Sequence, residues 1–330
     1  MIKVSVILPV FNPGYSLIQC LETLVNQTLH EIEIICILDL PTDGSDKIAA
    51  GYAAKDDRIK LIYNEQNKGV SESRNIGMAI AQGEYIGFSD HDDIRSLEMY
   101  ELLYLNAKKN DSDIVFSDSI IRKDDSNEIV KYDDPNRDGI IRSVILPMDL
   151  NNNYLCKSVW GSIYKKKYLQ DNNFIFTDRD VCFSEDTLFN LKAFLKTTKI
   201  SYIDKPLYVW IKHENSLSEQ WTCNIGLKLL SFFELMYEDL VNAKQFDDYF
   251  NEWSVLIEDS LRVNLYHFER LVLKDKRRLA KLLYISGIPV FGHFNELKLL
   301  SKKRIKLYFF VLKLYSDYWL QRNIFTKQNN

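Results

Sequence analysis

Five short apolar runs lie within the first 118 residues, at 4–8, 33–38, 59–63, 85–88 and 113–116, and segments of helical spacing separate them. Runs of that length alternating with helices demand crossover connections, so they predict an α/β fold around a mostly parallel sheet. Between the first two runs Leu17, Cys20, Leu21, Leu24 and Val25 recur at i, i+3, i+4, i+7 and i+8, which gives a helix with one face on the sheet. Thr42-Asp43-Gly44-Ser45 supplies turn and cap chemistry before the next helix. From 123 to 153 the sequence turns polar and irregular and reads as a long loop over a site. A second α/β stretch runs from Ser158 to about Leu217. Beyond it the pattern is helical almost to the end, broken near Gly287-Ile288-Pro289, with a domain boundary close to Ser218.

Composition narrows the function classes. With 46 % hydrophobic and 27 % charged residues, the chain is neither disordered nor collagen-like. Cys20, Cys36, Cys156, Cys182 and Cys223 are odd in number and widely spaced, so they read as reduced thiols of a cytosolic protein. The apolar start at 1–9 lacks a basic leader and a cleavage site and reads as a strand. No run reaches the roughly 18–20 apolar residues that cross a bilayer. The net charge of −4 is uneven: from Arg270 to Lys327 there are 14 basic against 3 acidic residues, leaving 28 against 43 elsewhere. An acidic body excludes a nucleic-acid binder, whereas a basic tail suits an anionic leaflet.

The fourth run delivers Asp90-His91-Asp92-Asp93 to its C-terminal end, the edge at which open α/β sheets bind ligands. Carboxylates at i and i+2 can hold a divalent cation through hard oxygens. The plain alternative is a solvated acidic turn capping the helix that begins near Ser96. The company this turn keeps favours the site. Val4-Ser5-Val6-Ile7-Leu8-Pro9-Val10-Phe11-Asn12, Gln27-Thr28-Leu29, Asp39 with Thr42-Asp43-Gly44-Ser45, Asn67-Lys68-Gly69-Val70-Ser71-Glu72-Ser73-Arg74-Asn75-Ile76-Gly77 and Gly83-Glu84-Tyr85-Ile86 precede it in order. Together they resemble family 2 glycosyltransferases, densely over 3–110, and the likeness returns at Trp160-Gly161-Ser162-Ile163-Tyr164, Glu185-Asp186 and Pro206-Leu207-Tyr208.

That resemblance implies a GT-A fold with a Rossmann-like mixed sheet, a nucleotide-sugar donor, a Mn²⁺ or Mg²⁺ ion and inversion at the anomeric carbon. It divides the chain into a catalytic domain at 1–217, with a donor half (1–120) and an acceptor half (121–217), and a helical, basic extension at 218–330. Carried over, Pro9, Phe11 and Asn12 lie beneath base and ribose, and Asp39 hydrogen-bonds the uracil. Asn67, Gly69 and Arg74 lie at the nucleotide. Asp90 and His91 reach ribose or metal shell, and Asp92 is the principal metal ligand, with His213 as a further candidate. One departure stands out: where the family has two aspartates and Gly-Ser, this chain reads Leu38-Asp39-Leu40-Pro41. The alternative for Asp39 is a cap on the turn into the next helix.

Inverting transfer needs a base opposite the leaving diphosphate. Glu185-Asp186 opens an apolar helical run, a position that also favours carboxylates for their effect on the helix dipole. The family match makes Asp186 the base, with Glu185 binding the acceptor or orienting its partner. Trp160 either stacks on an acceptor sugar or belongs to the core. In the tail, Leu297, Leu300, Tyr308, Val311, Leu312, Tyr315 and Trp319 share one helical face and Lys302, Lys303, Lys306 and Lys313 another. Such a helix lies in a membrane interface or packs on the catalytic domain or another subunit; its charge tilts toward the membrane. The resulting expectation is a cytoplasmic enzyme at the inner face of the membrane. It would move a hexose or N-acetylhexosamine from a UDP-sugar to a lipid-linked oligosaccharide, lipopolysaccharide or capsule glycan in β linkage. The rivals are a dinucleotide oxidoreductase, for which G-x-G-x-x-G is missing, and a non-catalytic scaffold with a degenerate donor site.

Overall fold

The computed structural model describes residues 1–123, 126–131, 135–146, 157–212, 224–269 and 271–285. His213, Cys156, Cys223, the 287–289 break, the Ser218 boundary and the basic helix from Leu297 lie outside them. The chain divides into two compact units: Met1–Val144 with Asn151–Arg179 and Ser184–Gln220, and Ile145–Leu150 with Asp180–Phe183 and Trp221–Asn330.

The first unit is built on a mixed sheet. Strands β1 (Val4–Val10), β2 (Ile32–Leu38), β3 (Ile59–Tyr63) and β4 (Tyr85–Phe88) are parallel in the order β3-β2-β1-β4. Every residue of β1, β2 and β4 is buried, as befits parallel strands covered on both faces. Helix α1 (Ser16–Val25) buries Leu17, Cys20, Leu21 and Leu24, as its spacing predicts. Helix α2 (Ser45–Ala53) follows a left-handed Gly44, and Asp43 Oδ1 accepts the Ser45 N–H at 3.0 Å. Helix α3 (Gly69–Ile80) packs on β1 and β2.

Beyond β4 the sheet becomes mixed, as the GT-A resemblance implies, while β6, the fifth apolar run, keeps the direction of β4. After the short β5 (Ile94–Arg95) and α4 (Met99–Asn110), β6 (Ile114–Lys123) is separated from β4 by β8 (Ser162–Lys165), antiparallel to both, and β9 (Ile200–Ile211) runs parallel to β6. The expected long loop after 123 is corrected. Its described parts form β7 (Ser126–Val130), a hairpin partner of β6, and α5 (Arg137–Ile145), whose Ile140, Ile141, Val144 and Ile145 are buried. The apolar face there is only four residues long, and the polar residues around it hide it. Helices α6 (Lys166–Asp171) and α7 (Glu185–Lys196) complete this unit.

In the second unit α8 (Ile225–Asn242), α9 (Phe250–Glu269) and α10 (Leu273–Ile285) bury Phe233, Met236, Trp253, Phe268 and Leu283. Among the described residues no helix is long and apolar enough to cross a membrane.

One close approach fixes the β1 side of the sheet. A Cβ on Gly83 would meet the Ser5 backbone nitrogen at 2.5 Å and the Val4 carbonyl carbon at 2.8 Å. The Gly83 N–H donates to Ser5 Oγ at 2.7 Å, and that hydroxyl donates to buried Glu33. Backbone cannot rotate away as a side chain can, so Gly83→Ala is expected to cost about 2–3 kcal/mol, the upper part of the overpacking range, in urea denaturation.

Candidate active site

In the order β3-β2-β1-β4 the connections run outward from β1 in both directions, so the C-terminal ends of β1 and β4 flank a topological switch point. Four carboxylates and one guanidinium are gathered at this edge, all within the first unit.

Arg74, on α3, is the centre of the arrangement. It is 4 % exposed, and its Nη2 donates to Asp90 Oδ1 at 3.1 Å and its Nη1 to Glu185 Oε1 at 3.0 Å. The guanidinium carbon lies 5.2 Å from the centre of the Phe176 ring, which stacks on Phe189. Burial alone would lower the Arg74 pKa; the charges of Asp90, Glu185 and Asp186 outweigh it and raise it. Asn75, next in the helix, donates to the Phe176 carbonyl and accepts the Phe176 N–H, which holds this ring in place.

Glu185 and Asp186 open α7 behind a left-handed Ser184. Glu185 is buried against Arg74. Asp186 is partly exposed, and its Oδ1 accepts the Thr187 N–H at 2.9 Å. Loss of hydration, then the adjacent Glu185 charge, push the Asp186 carboxyl up to about 7, against the opposing pull of Arg74. A carboxylate poised there can accept a proton near neutral pH.

The Asp90–Asp93 turn is held from behind. Asp93 is 1 % exposed: Tyr208 Oη donates to its Oδ2 at 2.8 Å and the Ile211 N–H to its Oδ1 at 2.8 Å. The turn therefore presents two carboxylates, Asp90 and Asp92, rather than three. Burial and the charges of Asp90 and Asp92 raise Asp93 well above the usual carboxylate range. Buried Arg95 donates to Ser89 Oγ at 2.8 Å and to the Asp93 carbonyl at 3.0 Å. His91 Nδ1 lies 3.7 Å from Asp92 Oδ1, too far for a hydrogen bond. Among the described residues no three His, Cys, Asp or Glu form a metal cage. Asp90 and Asp92 still fit a hard cation that takes its other ligands from water and a diphosphate, the usual Mg²⁺ arrangement.

The other candidate residues make contacts within the chain. Asp39 is buried and turned inward: its Oδ1 accepts from Asn64 Nδ2 at 2.7 Å and the Lys68 N–H at 2.8 Å, and its Oδ2 accepts the Gly69 N–H at 2.8 Å. It thus caps α3, while Asp43 caps α2. Asn67 Oδ1 accepts the same Gly69 N–H at 3.1 Å, so both Asn67 and Gly69 are tied within this loop. Pro9 is buried in β1 opposite Ile37, and Asn12 Oδ1 accepts the Thr42 N–H at 2.7 Å. Trp160 is 7 % exposed with one face stacked on Tyr208 at 4.7 Å, which matches the core alternative of its two readings.

Tyr208, Arg95, Asn64 and Phe176 carry no role in the sequence reading. A buried arginine two residues beyond an aspartate turn and a tyrosine inside a quoted motif were the available signals.

The glycosyl transferase family 2 model matches residues 5–172. The glycosyltransferase EpsJ of Bacillus subtilis, itself uncharacterized, is 34 % identical over 220 residues, 66 % of this chain and 63 % of EpsJ. This chain thus spans less than two thirds of EpsJ. The cholesterol galactosyltransferase of Borreliella burgdorferi is 28 % identical over 350 aligned positions, covering 96 % of this chain and 95 % of that one. Residues 1–349 of Staphylococcus aureus TarS in complex with UDP-GlcNAc superpose with a TM-score of 0.69 at 20 % identity, covering 97 % of this chain and 92 % of that one. The likeness to TarS establishes the GT-A fold.

Proposed function

The chain belongs to glycosyl transferase family 2, and on that premise we propose that it moves a hexose or N-acetylhexosamine from a UDP-sugar to a lipid-linked or surface glycan with inversion. The observation that carries this reading is Arg74, which ties Asp90 on the donor side to Glu185 beside the raised Asp186. The UDP-GlcNAc bound by TarS supports the donor class, and the lipid in the name of the Borreliella relative supports an acceptor at a membrane.

In this mechanism Asp186 takes the proton of the acceptor hydroxyl as its oxygen attacks the anomeric carbon. The bond to the diphosphate breaks on the opposite face, and UDP leaves with the bonding pair. Asp92, with Asp90, would hold Mn²⁺ or Mg²⁺, which when bound neutralises charge developing on the diphosphate. Glu185 orients the base through Arg74. Asp93, Tyr208 and Arg95 fix the turn, so Asp90 and Asp92 are preorganised for the cation that would face the diphosphate.

Thermal unfolding tests the donor site. Saturating UDP at about 100 times its Kd is expected to stabilise the wild type by about 2.7 kcal/mol with Mn²⁺ present. Without metal, or in Asp92→Ala, the shift is expected to vanish. A shift of equal size in both proteins, with and without Mn²⁺, would remove Asp92 from the metal site.

A further inference from the structure

The helix that carries the candidate base is clamped at its far end by an element outside the site. Helix α7 starts behind Ser184 without a side-chain cap, and its last turn leaves carbonyls that no helical N–H can reach. One side chain collects three carbonyls there. Arg137 Nε donates to Phe194 O at 3.1 Å and to Thr197 O at 2.9 Å, and its Nη2 donates to Leu195 O at 2.9 Å. Arg137 opens α5, where Asn136 Oδ1 accepts the Gly139 N–H at 2.9 Å and Ile140, Ile141 and Val144 are buried. Near the other end of α5, Lys157 Nζ donates to Val144 O at 2.6 Å. The Lys157 carbonyl in turn accepts from Thr187 Oγ1 at 3.5 Å, one residue past Asp186. Helix α5 is thus linked to the C-terminal end of α7 by Arg137 and to its first turn through Lys157.

What these contacts fix is the setting of the helix. A hydrogen-bonded rod carries a slip along its axis, or a turn about it, from one end to the other, and α7 is only about 18 Å long. Proton abstraction is sensitive to a misplacement of about 1 Å. Resting on the reading of Asp186 as the base, we propose that Arg137 is a positioning residue for it. Arg137 sets the axial position of α7, and with it the depth at which Asp186 sits beside Glu185 and Arg74. The guanidinium suits this task because its planar fork spans carbonyls of neighbouring residues, which a compact ammonium does not.

The experiment compares the wild type with Arg137→Ala, Arg137→Lys and Arg58→Ala. UDP release from UDP-glucose, UDP-galactose and UDP-GlcNAc is followed across pH, beside UDP titration and urea denaturation. Arg58 is the matched control, because its Nη2 closes the end of α1 at Val25 O, 2.6 Å away, and α1 carries no base. Arg137→Ala is expected to lower kcat about tenfold, with UDP affinity within about twofold of the wild type. Its rising pH limb should lie about one unit below that of the wild type, because a helix free to slip rehydrates Asp186. Arg137→Lys should regain part of kcat, and Arg58→Ala should lose stability alone. If Arg137→Ala loses stability but keeps both kcat and the pH limb, Arg137 merely closes a helix end and the proposal is overturned. Should that variant not fold, Arg137→Lys decides by the same two readouts. No release from any donor, or an unchanged pH limb in Asp186→Asn, would instead overturn the base reading and this inference with it.

Discussion

Arg74→Ala is expected to destabilise the protein by about 3–5 kcal/mol, the cost of stranding charges around a buried ion pair. Arg74 is almost fully buried between Asp90 and Glu185, and Glu185 is itself buried. Removing the cation leaves those carboxylates, and Asp186 beside them, with no counter-charge in place. Lysine would restore one charge but not the fork that reaches two partners on different elements. The control is a neutral set, Arg74→Met with Asp90→Asn and Glu185→Gln, which is expected to recover most of the stability and none of the activity. Urea denaturation measures the stability of both variants and UDP release their activity; a single Arg74→Ala variant within about 1 kcal/mol of the wild type in stability would mean that water already satisfies these groups.

Asp186→Asn is expected to slow UDP-sugar turnover by about 10²–10⁴-fold, the usual contribution of a positioned base, with UDP affinity unchanged. Only the deprotonated carboxylate accepts the hydroxyl proton, and its pKa lies at about 7. Wild-type turnover should therefore rise with pH through about 7 and level off, and this limb should be missing in the asparagine variant. The stability effect has the opposite sign. A carboxyl whose folded pKa exceeds its unfolded value near 3.8 favours the fold below that value, and this contribution is lost as pH rises through about 7. The asparagine variant is accordingly expected to be at least as stable as the wild type at pH 8. A pH profile identical in both proteins would assign the base elsewhere.

How far the sequence foretells this molecule depends on how local each feature is. β1, β2, β4 and α1 follow from periodicity because each buries its own run or stripe. The insertion of β8 between β4 and β6 does not, because Gly87 pairs with Ile163 and Phe116 with Ser162 across long sequence separations that no local pattern encodes. The Asp90–Asp93 turn is legible as a carboxylate cluster, but which members face solvent is not. Asp93 is turned inward by Tyr208 and Ile211, more than a hundred residues away. Asp39 is similar: its motif position is clear, while Asn64, Lys68 and Gly69 draw it into a cap. The resemblance assigns Arg74 to the nucleotide, whereas its bond to Glu185 depends on α7 arriving from 111 residues downstream.

The most direct test of the central claim is UDP release from a panel of UDP-sugars by the wild-type protein, with and without Mn²⁺, beside Asp92→Ala. Slow hydrolysis of one donor that requires the metal and disappears in the variant is the predicted result. No UDP release from any donor under either condition, together with no UDP binding, would contradict a donor site at the ends of β1 and β4.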